Sequence, residues 1–232
     1  MIDWHSHVLP AMDDGSRSVD EGLQMLELLE KQSVNTVVAT PHFYANEESV
    51  DEFLTRRSKA CEELSAAMGE SRIRLVCGAE VRYYPGIGRM QDLSKLAIEG
   101  TKLLLLEMPM GKWTEATVNE LTELSATCGL RIVMAHIDRY LGFVDLKTVN
   151  RLCEHGLMMQ VNASFFERMG TRRKALKMLD MGLIHFVGSD CHNLTTRPPK
   201  VCSAYDAVRK RFGEDFLSQM NAYGNRMLGQ NK

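Results

Sequence analysis

The sequence predicts an α/β protein built as a distorted barrel of seven βα units, similar to a TIM barrel, in a single domain over residues 1–232. Seven short apolar runs alternate with longer amphipathic segments, without a linker, a low-complexity stretch or an internal repeat. Gly129, Gly156 and Gly182 each follow a helical segment and precede an apolar run, as glycines that end helices do. Alternating βα units form parallel sheets, and seven of them in one domain favour closure into a barrel.

The apolar runs read as strands that are buried on both faces. Each is too short for a typical helix and is rich in Val, Ile, Leu or Met. The predicted strands are residues 2–5, 35–40, 73–80, 102–107, 131–136, 157–162 and 184–189.

The segments between these runs carry apolar residues at helical spacing. In the first segment Leu23, Leu26 and Leu29 share one side, while Asp20 and Glu21 near its start suit the positive end of the helix dipole. The predicted helices are residues 19–32, 47–68, 115–127, 146–155, 171–181 and 200–211.

Composition argues against several classes of protein. The net charge of −2 and the lack of a basic tract do not suit a nucleic-acid or membrane-surface binder. There is no run of about 18 apolar residues, so we expect no membrane insertion. The first residues lack a basic and apolar signal peptide, and the six cysteines are scattered without a CxxC pair, which suits a cytoplasmic protein.

Polar residues of metal-binding type occur where the apolar runs end. In an α/β barrel the carboxyl ends of all strands meet at one mouth, so these side chains should converge. This expected convergence is the strongest functional signal in the sequence. The residues are His5, His7, His42, Glu80, Glu107, His136, Asp190 and His192, together with Asp14 in a glycine turn.

Taken singly, these signals are weak. His5 and His7 are two residues apart, so on a strand both imidazoles reach one side, but two loop histidines would read the same way. Glu80 and Glu107 close apolar runs, where a carboxylate is costly unless it is paired, reaches solvent or binds metal. Imidazole and carboxylate ligands without thiolate favour Mn²⁺, Zn²⁺ or Fe, and their number implies a cluster of ions.

The same residues belong to motifs that resemble a known family. The motifs occur in the order of the PHP-type bacterial tyrosine phosphatases of capsule and exopolysaccharide systems, the CpsB/CapC/YwqE-like family, and the resemblance extends to about Pro199. The motifs are His5-Ser6-His7, Asp13-Asp14-Gly15, Thr40-Pro41-His42, Gly78-Ala79-Glu80, Glu107 with Pro109, residues 135–140, residues 160–164 and residues 189–193.

The resemblance implies a PHP barrel that holds three divalent ions, usually Mn²⁺, with Fe or Zn²⁺ as alternatives. It implies two arginines facing the phosphate, Arg139 and Arg197, and a substrate that is the phosphotyrosine tail of a tyrosine autokinase. The implied ligand sets are His5, His7, Glu80 and Asp190 for one ion, Glu80, Glu107 and His136 for the second, and Asp14, His42 and His192 for the third. Two positions depart from the family pattern, Asp138 in place of Glu and Cys191 in place of Ala.

Other functions stay open at this point. A related phosphoesterase such as a histidinol-phosphate phosphatase would need nearly the same ligands, and a non-catalytic metal-binding regulator would keep them. Cys191 and Arg197 also match the spacing of cysteine-dependent phosphatases, but the intervening residues contain no glycine for a tight phosphate loop. A nucleic-acid phosphodiesterase is disfavoured by the charge. The oligomeric state is open, and His155 and His185 are interpreted as structural.

Overall fold

The computed structural model describes residues 1–229, and within them the strands and helices follow one another as repeated βα units. Residues 230–232 of the predicted domain lie outside the described residues. The strands are β1 (Ile2–Ser6), β2 (Thr36–Ala39), β3 (His42–Phe43), β4 (Arg74–Cys77), β5 (Glu80–Arg82), β6 (Leu103–Glu107), β7 (Arg131–Met134), β8 (Met158–Asn162) and β9 (Phe186–Gly188). The helices are α1 (Val19–Glu30), α2 (Val50–Ala67), α3 (Glu115–Cys128), α4 (Leu146–Glu154), α5 (Met169–Asp180), α6 (Cys202–Phe212) and α7 (Glu214–Met227).

The strands form a distorted barrel in which the paired strands are parallel. One sheet has the order β1-β2-β4 and the other the order β3-β5-β6-β7-β8-β9. The barrel closes where β9 meets β1, through hydrogen bonds from Asp190 N to His5 O (2.7 Å) and from His7 N to Cys191 O (2.9 Å). The predicted seven-unit barrel is therefore confirmed.

Two breaks in the strands were not predicted. The strand expected over residues 73–80 is interrupted, and the strand expected over residues 35–40 is followed by a separate short strand, β3. β2 and β3 are separated by Thr40 and Pro41, and β4 and β5 by Gly78 and Ala79. Proline cannot donate to a strand ladder, and glycine favours a local bend. The barrel changes partners at these breaks, since β2 pairs with β4 but β3 pairs with β5.

The six predicted helices are present with ends within three residues of those expected, but α7 was not predicted. Helix α7 packs under the barrel, where Tyr223 and Met227 contact the apolar cluster that includes Ile2 and Phe186. Gly224 allows this close approach, because a Cβ there would lie 2.8 Å from Ile2 Cδ1. No helix in the described part of the chain is long and apolar enough to cross a membrane.

The apolar core has two parts that leave one end of the barrel for polar chemistry. An outer cluster joins the strands to the helices, and an inner cluster with Trp4, Val38, Val133 and Phe186 fills the barrel. The inner residues occupy alternate positions of the strands, as the strand period requires. The sulfur atoms of Cys61 in α2 and Cys77 in β4 are paired as a disulfide, which the sequence analysis did not predict.

Candidate metal centre

The predicted ligands lie together at the carboxyl ends of the strands. They come from the end of β1 and the residue after it, from the first residues of the short strands β3 and β5, from the last residue of β6 and from the residues just after β7 and β9. Asp14 comes from the loop that follows β1. His5, His7, Glu80, His136, Asp190 and His192 are buried, His42 and Glu107 are partly buried, and Asp14 is exposed. Parallel strands therefore bring together side chains that are up to 187 positions apart in the sequence (His5 to His192).

The two histidines of β1 face one point. His5 Nε2 and His7 Nε2 are 3.1 Å apart, and they lie 3.7 and 3.5 Å from Asp190 Oδ1. Ligand atoms of these three residues lie within 4.8 Å of one another, so they could hold a metal ion. The i, i+2 spacing of the two histidines produces this geometry, as expected for a strand.

Glu80 occupies the middle of the cluster. Its Oε2 is 3.1 Å from His5 Nε2 and 3.0 Å from His42 Nδ1, and its Oε1 is 2.8 Å from His136 Nε2. Glu107 Oε1 lies 3.7 Å from the same His136 nitrogen. Ligand atoms of His42, Glu80 and Glu107 form a second group that could hold an ion, and Glu80 also contacts His5 of the first group.

Asp14 completes a third group on the open side. Its Oδ1 is 3.6 Å from His42 Nε2 and 3.3 Å from His192 Nε2, and His7 joins these three residues in one possible ligand set. His7 and His42 each belong to two of the three groups. The groups therefore share members and form one continuous cluster.

The protonation states of the carboxylates and of one imidazole suit cation binding. Burial alone would raise the pKa of Glu80 and of Asp190, but the imidazole of His5 holds both well below their usual range. Burial and the nearby His7 lower the pKa of His192 to about 4. Burial would also lower the pKa of His5 and of His7, but the adjacent carboxylates raise both. Because ionised carboxylates and neutral imidazole are the forms that bind metal, a cation would compete with protons for these two rings.

Several ligand atoms are buried without a hydrogen-bond partner among residues 1–229. These are Glu80 Oε2, His42 Nδ1 and His192 Nε2. Such atoms are costly to bury, and a cation between them would satisfy them together. The donor set of imidazole and carboxylate without thiolate fits divalent ions such as Mn²⁺, Zn²⁺ or Fe²⁺.

The two predicted phosphate-binding arginines lie beside the cluster. Arg139, in the 3₁₀ helix Ile137–Tyr140, and Arg197 both form ion pairs with Asp190, the latter at 2.7 Å. Each side chain is 36% exposed and lines a cavity of about 260 Å³ with Ser164 and Lys200. Two guanidinium groups therefore border an open cavity next to the ligand cluster.

The structure adds polar residues whose roles the sequence analysis did not identify. Arg82 pairs with Glu107 at 2.8 Å, and Asn162 Nδ2 donates to Asp190 Oδ2 at 2.8 Å. Asp13 accepts from the ring of His7 at 2.7 Å, and Gln160 contacts His5. In the sequence, Arg82 could have been identified because it lies two residues after Glu80, a predicted ligand. Gln160 and Asn162 could have been identified because they place amide groups inside an otherwise apolar strand.

The two positions that depart from the family pattern lie outside the ligand cluster. Asp138 is turned toward β8, where its Oδ1 accepts the backbone N–H of Asn162 at 2.9 Å. Cys191 is fully buried in the outer apolar cluster, and burial raises the pKa of its thiol. Three histidines within residues 1–229 belong to none of the candidate ligand groups. Two are His155 and His185, which were interpreted as structural, and the third is the predicted ligand His136, which instead contacts Glu80 Oε1 at 2.8 Å.

The fold and this site define an α/β-barrel protein with a cluster of metal-binding side chains at the mouth. The chain belongs to the CpsB/CapC family of capsular polysaccharide synthesis, whose family model matches residues 1–228.

Three relatives illustrate the similarity. The chain is 31% identical over 228 residues to the tyrosine-protein phosphatase YwqE of Bacillus subtilis, covering 93% of this chain and 86% of that protein. It is 26% identical over 231 residues to the tyrosine-protein phosphatase CpsB of Streptococcus agalactiae, covering 95% and 94%. A crystal structure from work on YwqE of B. subtilis and CpsB of Streptococcus pneumoniae, described as unique metal-dependent tyrosine phosphatases, superimposes with a TM-score of 0.84 at 24% identity. That superposition covers 100% of this chain and 96% of the other.

Proposed function

We propose that this chain is a metal-dependent protein-tyrosine phosphatase. Its substrate would be the phosphotyrosine tail of a bacterial tyrosine autokinase, and its role would be to regulate capsular or exopolysaccharide synthesis in the cytoplasm. The observation that carries the proposal is the convergence of eight imidazole and carboxylate side chains in overlapping candidate ligand groups, with His136 against Glu80, beside two arginines at one barrel mouth. Membership of a family whose relatives are named tyrosine-protein phosphatases supports the choice of substrate.

We infer that the cluster holds three divalent ions, with Mn²⁺ preferred and Fe or Zn²⁺ as alternatives. Bound divalent ions lower the pKa of water and neutralise phosphoryl oxygens, which is the chemistry that phosphoester hydrolysis needs. The proposed ligand sets are His5, His7, Glu80 and Asp190, then Glu80, Glu107 and His136, then Asp14, His42 and His192.

Arg139 and Arg197 are the proposed phosphate-binding residues. A guanidinium group offers paired N–H donors in a plane, which match two phosphoryl oxygens at once. Asp190 contacts both guanidinium groups and so holds them at the edge of the cavity. The phenolate of tyrosine is a good leaving group, so the mechanism needs no strong general acid.

The experiment compares two substrates with and without metal. Purified protein is analysed for bound metal and assayed with a phosphotyrosine peptide and with histidinol phosphate. The assays are made as isolated, after chelation, and after Mn²⁺ addition. We expect phosphotyrosine hydrolysis to be lost on chelation and restored by Mn²⁺.

Three outcomes would contradict the proposal. Full activity in protein verified free of metal would remove the metal mechanism. Faster turnover of histidinol phosphate would favour that related phosphatase, and metal binding without turnover of either substrate would favour a regulator.

A further inference from the structure

Gln160 lies behind the candidate metal centre and contacts two of its histidines. It is a fully buried residue of β8, and its Oε1 accepts the backbone N–H of His136 at 2.6 Å. The same oxygen lies 3.2 Å from Nδ1 of His5. Its Nε2 donates to Val161 O at 2.8 Å and to Asn162 Oδ1 at 3.2 Å. All the hydrogen-bonding groups of this amide are therefore engaged.

These contacts determine which ring nitrogen of His5 carries the proton. A backbone N–H can only donate, so the Gln160 atom facing His136 must be the amide oxygen. That oxygen can only accept, so His5 Nδ1 must be the protonated nitrogen. The lone pair of a neutral His5 ring then lies on Nε2, the atom that faces His7 Nε2 at 3.1 Å and Glu80 Oε2 at 3.1 Å.

The contact with His136 also stabilises an unusual backbone conformation. His136 has φ 29° and ψ 55°, a positive φ that residues with a side chain seldom adopt. Such a conformation persists only when its surroundings hold it in place. The hydrogen bond from the His136 N–H to Gln160 Oε1 holds the backbone in this conformation just before the 3₁₀ helix Ile137–Tyr140. The ring of His136 contacts Glu80 Oε1 at 2.8 Å.

The other histidine of β1 has a matching arrangement. Asp13 Oδ2 is 2.7 Å from Nδ1 of His7, and an ionised carboxylate can only accept, so His7 also presents Nε2 to the cluster. Metal-binding histidines commonly donate their second ring nitrogen to a carboxylate or carbonyl group, which fixes the tautomer and the ring orientation. Asp13 and Gln160 therefore supply the same kind of support to neighbouring ligands.

We propose that Gln160 is a positioning residue of the metal centre, which fixes the Nδ1-protonated tautomer of His5 and the backbone conformation of His136 through one amide oxygen. This inference rests on the proposed function, since it assumes that His5 and His136 bind metal. It assigns to β8 an active part in the site although β8 supplies none of the proposed ligands.

Two substitutions at Gln160 separate its acceptor function from its packing. Gln160→Met keeps a similar length but removes the oxygen together with the N–H donors. Gln160→Glu keeps an oxygen that accepts from both histidines, but it replaces the N–H donors to Val161 O and Asn162 Oδ1 by a second oxygen. We expect Gln160→Met to weaken Zn²⁺ and Mn²⁺ binding by about 10- to 100-fold, measured by competition with a chromogenic chelator. Gln160→Glu keeps the acceptor but loses the donors, so it should bind both ions more tightly than Gln160→Met and less tightly than wild type. Gln91→Met, the same change at an exposed glutamine, should stay within about threefold of wild type.

A second readout needs no variant. In wild-type protein labelled with ¹⁵N-histidine and loaded with Zn²⁺, NMR should show His5 protonated on Nδ1. An Nε2-protonated His5 would overturn the inference. It would also be overturned by wild-type affinity in folded Gln160→Met, or by a folded Gln160→Glu that binds the ions no more tightly than Gln160→Met. Should Gln160→Met fail to fold, the wild-type spectrum decides the matter. A wild-type protein that binds neither ion would instead overturn the proposed function itself.

Discussion

Gly188 in β9 lies so close to His5 in β1 that a Cβ atom at position 188 would be 2.6 Å from the Cβ of His5. The same atom would be 2.8 Å from the backbone nitrogen of His5 and 3.0 Å from Nε2 of Gln160. Glycine in a strand interior often marks a close approach of two backbones. The barrel can therefore close between its first and last strands, and bring His5 beside Asp190, because position 188 has no side chain.

We predict that Gly188→Ala destabilises the fold and weakens metal binding, because β9 must move away from His5. Overpacking of this kind costs about 1–3 kcal/mol, which denaturant unfolding can measure, and chelator competition would report the metal affinity. Gly142→Ala is the control, since a Cβ at position 142 meets no atom within 4 Å. Equal unfolding free energies for the two variants would show that β1 and β9 are not held at this contact.

Much of the fold was predictable because strands and helices have different periods. The apolar runs had the length and composition of buried strands, so all seven were found in the sequence and the barrel followed from their number. Helix α7 was missed because its apolar side, with Leu217, Tyr223 and Met227, lies on a segment rich in polar residues. Its burial depends on contacts with the barrel floor that a local pattern does not reveal.

The metal-binding residues were predictable where they lie at the ends of predicted strands. His5, Glu80 and Asp190 were identified because the carboxyl ends of all strands in a barrel lie at the same mouth. Gln160 and Arg82 were not assigned roles, because their importance depends on distances between strands. The breaks after β2 and β4 were not predicted for the same reason, since they mark a change of strand partner rather than a change of composition.

We predict that His136→Ala lowers kcat on a phosphotyrosine peptide by at least about 100-fold, as loss of electrostatic stabilisation of the transition state should. The ring of His136 is buried against Glu80 at 2.8 Å, so no neighbouring side chain can take its place without moving. His155→Ala is the matched control, since His155 is exposed and its ring forms a hydrogen bond with the Arg151 carbonyl, away from the candidate ligands. Near-normal kcat for His136→Ala at saturating metal would remove this residue from the proposed ligand set.

We predict that His185 makes the fold sensitive to acid. Its Nδ1 accepts the backbone N–H of Met159 at 3.1 Å, and burial, with a smaller contribution from Arg131, lowers its pKa to about 4. An unfolded histidine titrates near 6.5, so between these values the unfolded chain binds more protons than the folded one. The stability that depends on neutral His185 is therefore complete above about pH 6.5 and declines as the pH falls toward 4.

The measurement compares wild type with His185→Asn, whose amide oxygen can accept the same bond without titrating. Urea unfolding in excess chelator at pH 7.5 and pH 5 should show wild type losing about 1–2 kcal/mol more than the variant over this interval. Other titrating groups, including the buried Asp3, are common to both proteins and cancel in the comparison. Equal losses would mean that folding does not lower the pKa of His185.

The last prediction concerns Cys191, where two mechanisms make opposite claims. If its thiolate were the nucleophile, Cys191→Ala would abolish turnover. The side chain is fully buried in the outer apolar cluster, away from the cavity that Arg139 and Arg197 line. Replacing a small buried sulfur then costs about 1 kcal/mol of stability, and we expect Cys191→Ala to keep at least about a third of wild-type kcat.

Arg197→Ala should instead lose phosphate affinity or rate, because its guanidinium group borders the proposed phosphate position. Initial rates at saturating Mn²⁺, with the metal content and circular dichroism of each variant, would decide between the mechanisms. A folded, metal-loaded and inactive Cys191→Ala protein would overturn the metal-dependent mechanism in favour of the cysteine.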